Sequence, residues 1–271
     1  MQIGGKYMKA YDFEYDGLTL SSFGFMLCNF GSKGLQTTSN GSTITFNTVS
    51  TLNGAKHELT STEYEDCLEA VLQICKNPCG TDNFEITIDE FRVLSRWLNR
   101  KGFYKFKILN DEYLDIYFEA SFNINKIEID GKLYGLELEL KTNRPFALQE
   151  PKKIILKNLV ADGEHSVTDY SDVEGYIYPE VEITLNESGN LSIYNAIEDR
   201  TTYIANCVVG ETIKMNYPII ESSLASHKIQ NDFNWNFFRV ANTFRNKANK
   251  LIISLPCTIK MVYSPAIKVG I

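Results

Sequence analysis

Long hydrophobic runs are missing from this chain. The longest apolar stretch, Leu251-Ile252-Ile253-Ser254-Leu255, falls well short of the roughly 20 residues that a membrane-spanning helix needs. A basic start followed by an apolar segment and a small-residue cleavage site is also absent, so no signal peptide is expected. Histidine is scarce: His57, His165 and His227 stand far from one another in 271 residues. Six cysteines, Cys28, Cys67, Cys75, Cys79, Cys207 and Cys257, are scattered through the chain. That spread argues for reduced thiols and a cytosolic place of synthesis. Cys75 and Cys79 are the one close pair; zinc would need a second Cys or His pair beside them, so they read as small buried apolar residues. No metal or other cofactor is expected. Catalytic signatures are missing as well: there is no G-x-S-x-G elbow, no H-E-x-x-H, no P-loop and no dinucleotide-binding glycine pattern. Gly31-Ser32-Lys33-Gly34 has glycines and a lysine without the spacing of a phosphate loop. Acidic pairs are common in any chain with 34 carboxylates, and only a measured separation across a cleft would give a glycosidase reading content. The chain therefore reads as non-enzymatic.

Positive charge is in deficit. A net charge of −7 disfavours nonspecific binding to nucleic acid or to anionic membranes, since both need a basic surface. Residues 1–150 carry 15 Lys and Arg against 21 Asp and Glu. Residues 228–271 carry seven basic residues against one acidic, Asp232, while residues 151–227 are net −7. These oppositely charged segments are expected to neutralise each other within one domain in preference to forming a basic docking patch.

What is present is mostly strand pattern. Tyr11 to Tyr15, Phe23 to Phe30 and Ile44 to Val49 combine aromatic and β-branched residues, set off by Asp16-Gly17. Between the last two lies the polar, Gly-rich stretch from Gly31 to Ser42, which is either a disordered loop or an arm ordered by a neighbouring subunit. Two helices are expected next. Thr62 and Glu65 have capping-box spacing, and Tyr64, Cys67, Leu68, Val71, Leu72 and Cys75 follow at helical intervals, with Pro78 and Gly80 as the stop. Thr87 and Glu90 repeat the box ahead of Phe91, Leu94, Trp97 and Leu98, ending at Lys101-Gly102, with Trp97 read as a core anchor. Ile127-Glu128-Ile129, Asp130-Gly131 and Leu136-Glu137-Leu138-Glu139-Leu140 read as a hairpin with the leucines on one face. Glu137 and Glu139 then lie on the other, either an ordinary solvated face or the wall of a channel. Arg144-Pro145-Phe146 and Pro151 mark a boundary, giving domains 1–150 and 151–271. After a polar, turn-rich stretch at Ala161–Asp172, strands recur between turns at Asn186–Asn190, Glu198–Arg200 and Val209-Gly210, the pattern of an antiparallel sandwich.

The run Asn231-Asp232-Phe233-Asn234-Trp235-Asn236-Phe237-Phe238-Arg239-Val240-Ala241-Asn242-Thr243-Phe244-Arg245-Asn246 fits neither an amphipathic helix nor a half-buried strand. Its rings and amides suit core packing with domain or subunit contact, or else a sugar-binding surface. Read with Tyr178-Pro179-Glu180-Val181-Glu182-Ile183-Thr184, Gly189 to Asn195, Gly210-Glu211-Thr212-Ile213 and Cys257 to Tyr263, it resembles the C-terminal part of phage distal tail proteins. Tyr11 to Gly17, Ser95-Arg96-Trp97-Leu98 and Asn143-Arg144-Pro145-Phe146-Ala147 extend the resemblance over most of the chain.

The resemblance implies a mainly β (α+β) protein: a β-rich ring-forming domain with two helices, followed by a galectin-like antiparallel β-sandwich. It further implies a homohexameric ring at the baseplate hub of a siphovirus-type virion tail. Expected partners are the tail-tube protein, a tail-associated tip or lysin protein and a receptor-binding protein. DNA would pass through the ring without specific binding, and no membrane insertion is implied. Some family members carry an inserted carbohydrate-binding module; the span from Tyr178 to Tyr263 leaves no room for one, which places host recognition in a partner. Expected sites are Lys33, Leu35 and Gln36 at a subunit interface, Glu137 and Glu139 in the channel, and Phe233, Asn234, Trp235, Phe237, Phe238 and Arg239 in core or partner contact. The alternative is a carbohydrate-binding adhesion module.

Overall fold

The computed structural model describes residues 12–30, 43–243 and 247–269. The chain divides into two units, one running up to Leu148 and including the chain from Ile267 onward, the other spanning Gln149–Ala266. Both are built from antiparallel sheets, so the fold is mainly β.

The first unit is organised on a sheet whose main run is Leu18–Thr19, Phe13–Tyr15, Tyr104–Ile108, Ile116–Ile129, Lys132–Thr142, Glu69–Lys76 and Phe25–Cys28. Its longest hairpin turns at Asp130 and Gly131, both with positive φ (52° and 76°), as a two-residue type I′ connection demands. Leu136, Leu138 and Leu140 are buried, and a bulge between Ile127 and Glu128 resets the register near the turn. The helix Ile88–Leu98 packs on this sheet. Its capping box is complete: the Glu90 N–H donates to Thr87 Oγ1 and Glu90 Oε2 accepts from the Thr87 N–H. Lys76, buried at the end of its strand, reaches Glu90 Oε1 at 2.8 Å. At the other end Trp97 is buried against Phe13 and Phe23, and its indole N–H donates to the Tyr15 carbonyl at 3.0 Å.

The helix expected from Thr62 does not form. Residues Lys56–Tyr64 and Glu69–Lys76 are strands, so the first unit holds one α-helix among its described residues. The burial of Leu72 and Ile74 beside an exposed Val71 has a period of two. Antiparallel partners on both sides of Glu69–Lys76 supply the backbone hydrogen bonds that a helix would have made internally. The Thr142 hydroxyl and backbone pin Leu68 at the entry.

Ile44–Thr51 and Lys56–Tyr64 form a hairpin that pairs with no other strand among the described residues. Nearly every residue in it is exposed.

The second unit is a two-layer sandwich. One sheet runs Lys152–Asn158, Cys257–Tyr263, Glu180–Leu185, Thr212–Asn216, Ile219–Ser222; the other runs Gly163–Thr168, Ala248–Ile253, Gly189–Asn195, Arg200–Cys207. Val181, Ile183, Ile213, Met215 and Ile259 from the first meet Val167, Leu191, Ile193, Ile204 and Leu251 from the second in one core. The Ala161–Asp172 stretch is not only turns. Its centre, Gly163–Thr168, is an edge strand against Ala248–Ile253, held because Asn158 caps its start. The buried Asn158 amide donates to the Ile253 and Leu255 carbonyls at 3.0 and 2.7 Å, and its Oδ1 lies 3.0 Å from His165 Nε2.

A Cβ at Gly163 would run into Asn158 Oδ1, and three hydrogen bonds keep Asn158 from moving. Gly163→Ala is expected to destabilise the second unit by about 2 kcal/mol, read as a shift of the urea midpoint; an unchanged midpoint would show that Asn158 yields freely.

Candidate functional site

The expected interface residues Lys33, Leu35 and Gln36 lie outside the described residues, as do Phe244, Arg245 and Asn246 at the end of the aromatic run.

Glu137 and Glu139 sit on the sheet face turned away from the buried leucines. Cross-strand neighbours surround them: Gln73 and Asn125 flank Glu137, and Val71 and Asn123 flank Glu139. Glu137 Oε2 accepts from the Gln73 amide at 3.1 Å, and Glu139 Oε1 accepts from the Asn125 amide at 2.8 Å. Neutral donors leave both charges uncompensated, so this face is negative and amide-rich. Lys141 stands at its end in ion pairs with Glu69 and Asp66.

The aromatic run is divided between core and surface. Phe233, Phe237 and Phe238 are buried in the sandwich core, while Trp235 is 57% exposed and holds a positive φ of 59°. Asn234 fastens the bend. Its Oδ1 accepts from the Tyr203 and Asn236 N–H groups, and its amide donates to the Thr201 carbonyl. Arg239 donates to the single oxygen Glu198 Oε1 through both Nε at 2.7 Å and Nη2 at 2.6 Å, and its guanidinium covers the Tyr176 ring at 3.9 Å. Those residues are therefore engaged inside the unit. Of the amides in the run, Asn242 donates to Asp169 Oδ2 and to the Ser171 carbonyl, and Asn249, just beyond the run, holds both backbone groups of Ala241.

A buried carboxylate locks the approach to this run. Glu211 is fully buried; its Oε1 accepts from Ser222 Oγ at 2.5 Å and from His227 Nδ1 at 2.6 Å, and its Oε2 from the Val208 N–H at 2.9 Å. Burial alone would raise its pKa, but the three donors outweigh it and hold the carboxyl below the usual range. His227 also approaches Asp232 at 3.3 Å, so one cluster ties the strand before the run to the short helix Ile229–Asp232. Nothing in the spacing of Glu211 and His227 announces this contact.

Nucleophile chemistry is suppressed among the buried thiols. Desolvation pushes Cys207 up to about 11 and Cys257 up to about 12, leaving both as thiols at neutral pH. Among the described residues no group of three or more His, Cys, Asp or Glu is placed to hold a metal, and no helix is long and apolar enough to cross a membrane.

A groove of about 520 Å³ crosses the outer face of the five-stranded sheet and is lined by Lys153, Glu180, Glu182, Lys214, Glu221 and Lys260 among others. A chain of rings runs from Tyr176 through Tyr178, Tyr217 and Phe237 to Trp235 and Phe233. Tyr176 and Tyr217, both exposed, gave no signal in sequence because neither lies in the aromatic run.

Two family descriptions match consecutive parts of the chain: a phage tail protein N-terminal domain over residues 8–144 and a phage tail C-terminal domain over residues 146–263. No curated protein matches it. Among solved structures it is similar to the crystal structure of SPP1 Dit (gp 19.1), a protein described as a paradigm of the hub adsorption apparatus in phages infecting Gram-positive hosts. The TM-score is 0.65 at 11% identity, over 94% of this chain and 99% of the other. At that identity the likeness is one of fold.

Because Glu211 is held below the usual carboxyl range, its contribution is complete above the unfolded-state value of about 4.3 and is lost as pH falls through the folded-state value. Glu211→Gln should cost about 2–3 kcal/mol at pH 7 and flatten the acid limb of the stability curve. Parallel curves for the two proteins in urea titrations between neutral and acid pH would rule this out.

Proposed function

The chain belongs to this phage tail protein family, and from that premise we propose that it is the distal tail hub, six copies closing a ring between tail tube and tip. The observation that carries the ring is the hairpin Ile44–Thr51/Lys56–Tyr64. Its register sets Ile44 opposite Tyr64, Phe46 opposite Thr62 and, past the bulge after Asn47, Thr48 opposite Leu59. Ile44, Phe46, Leu59 and Tyr64 thus share one face, with Phe46 63% and Leu59 57% exposed. Two strands alone are marginal in water, and an apolar face on such a hairpin calls for a cover. A second copy supplies it repeatedly: a hairpin reaching from each subunit to the next is a heterologous contact, which closes into a ring by rotation and leaves no copy unsatisfied.

On this reading the amide-rich face with Glu137 and Glu139 lines the passage, where negative charge keeps DNA from adhering while it moves. The sandwich unit serves as the mount for a receptor-binding protein, and the two ends of the ring meet the tail-tube protein and a tip protein. The role is structural, with no reaction to catalyse and no cofactor to hold. Synthesis in the host cytoplasm keeps the cysteines reduced before assembly into the virion tail.

Native mass spectrometry with negative-stain imaging of the purified protein tests the assembly. Homohexameric rings with an open centre are expected. Phe46→Asp combined with Leu59→Asp should abolish them while changing monomer stability by less than about 0.5 kcal/mol; rings that persist would rule out the hairpin as the link. Glu137→Lys combined with Glu139→Lys should leave the rings intact and make them retain DNA in a salt-dependent manner. Unaltered DNA affinity would remove these carboxylates from the passage.

A further inference from the structure

The apolar face of the 44–64 hairpin needs a receiving surface on the next subunit. We propose that this surface is a groove of about 320 Å³ in the first unit, walled by Phe30, Phe84, Ile129 and Tyr134, and that the hairpin of a second copy lays Phe46 and Leu59 into it. The inference rests on the ring assembly proposed above and supplies the half of the contact that the hairpin does not carry.

The groove is built into the sheet. Phe30 lies so closely over Gly135 that a Cβ there would run into its ring, and the Phe30 N–H donates to Gln73 Oε1 at 2.9 Å. The segment that carries Phe84 is fixed as well: the Ile86 N–H donates to the Leu133 carbonyl at 2.7 Å, and Lys132 pairs with Glu85 at 3.2 Å. On this scaffold Phe30, Phe84 and Ile129 stay 40%, 47% and 53% exposed. The one charged lining residue, Lys76, is buried and spent on Glu90. An exposed apolar concavity with no free charge at its centre has the composition of an interface core, rich in aromatics and poor in ions. It offers nothing to a polyanion or to a polar ligand, and the face it suits is another neutral, aromatic-bearing one.

Position makes a second copy the occupant. The hairpin joins the sheet at the start of the strand Glu69–Lys76, where the Glu65 N–H donates to the Thr43 carbonyl and the Tyr64 ring meets Phe146 edge-on. Cys75 and Lys76, which line the groove, close the same strand. Eight residues of strand set the two features roughly 25 Å apart, and in the single chain Phe46 and Phe84 both remain in water. A projecting apolar face at one end of a subunit and an apolar recess at the other form a heterologous pair. Filling one groove leaves the next hairpin and the last groove free, so the contact repeats until rotation closes it. Hairpin packed on hairpin would instead stop at a dimer and leave both grooves open.

The test uses the full-length protein. Phe84→Asp combined with Ile129→Asp alters half-exposed side chains, so the melting temperature should be kept while the subunit concentration needed for rings rises by about tenfold or more. A cross-link gives a second readout that needs no loss of assembly. Cys79 is exposed and follows Pro78, a lining residue of the groove, and Thr62 stands opposite Phe46 on the hairpin. Thr62→Cys treated with a short bismaleimide should give a ladder of joined subunits on a denaturing gel, and Thr62→Cys combined with Cys79→Ser should give none. Rings that persist in the groove variant while Phe46→Asp combined with Leu59→Asp abolishes them overturn the proposal and leave the ring standing. So do rings of Thr62→Cys that yield no ladder, or a ladder that survives Cys79→Ser. A parent protein that forms no rings removes the assembly and the groove contact together.

Discussion

The alternation of side chains on a pleated strand is the constraint from which the rest of this structure follows. Outside the hairpin at residues 44–64, the long strands of both units send one set of residues into a core and the next set out. Leu136, Leu138 and Leu140 go in, so Glu137 and Glu139 must go out. Val181, Ile183, Ile213 and Met215 go in, so Glu182 and Lys214 must go out. A one-residue slip would bury carboxylates and expose leucines, at a cost no local contact could offset. The outer faces are thus held in place by the cores, and that rigidity makes them usable as assembly or binding surfaces.

The hairpin at residues 44–64 escapes that constraint. Its strands alternate as strictly as any other, yet neither face has a core behind it. The side chains that would be the core are Ile44, Phe46, Leu59 and Tyr64, and a bulge is needed to bring Leu59 into line with the others. Bulges re-aim side chains, and keeping an apolar stripe continuous on a solvent-facing hairpin has no use within one subunit.

Much of the fold was legible in the sequence, and the exceptions have a common cause. Two capping boxes were present, Thr87 with Glu90 and Thr62 with Glu65, and only the first caps a helix. After Thr87 the apolar residues Phe91, Leu94, Trp97 and Leu98 fit a helical stripe and have no strand partner to satisfy. After Thr62 the apolar residues fit both periods, because Leu68, Leu72, Ile74 and Val71 are nearly contiguous. Partners distant in sequence then decided it, and the Glu65 N–H is spent on the Thr43 carbonyl instead of a box. The same limit explains the aromatic run. Phe233, Phe237 and Phe238 could be read as core, but that Asn234 holds Thr201 and Tyr203, or that Tyr217 and Tyr178 extend the ring chain, depends on contacts that spacing does not encode. The Glu211–His227 contact was invisible for the same reason.

The proposed ring also has an energetic consequence that follows from these exposures. Fully burying a large apolar side chain yields about 1.5–3 kcal/mol, and the four on the hairpin face are already partly covered in the single chain. One hairpin contact therefore supplies on the order of 3–5 kcal/mol, at or below the 4–15 kcal/mol or so that association costs in lost rigid-body freedom. A pair of subunits joined this way is weak. Closing a ring gains one more contact than the open chain of the same copies without a further association cost, so intermediates are sparse and the closed form is favoured cooperatively. A tail-tube end that orients the first subunits lowers that cost again, which ties assembly of the hub to the place where the hub belongs.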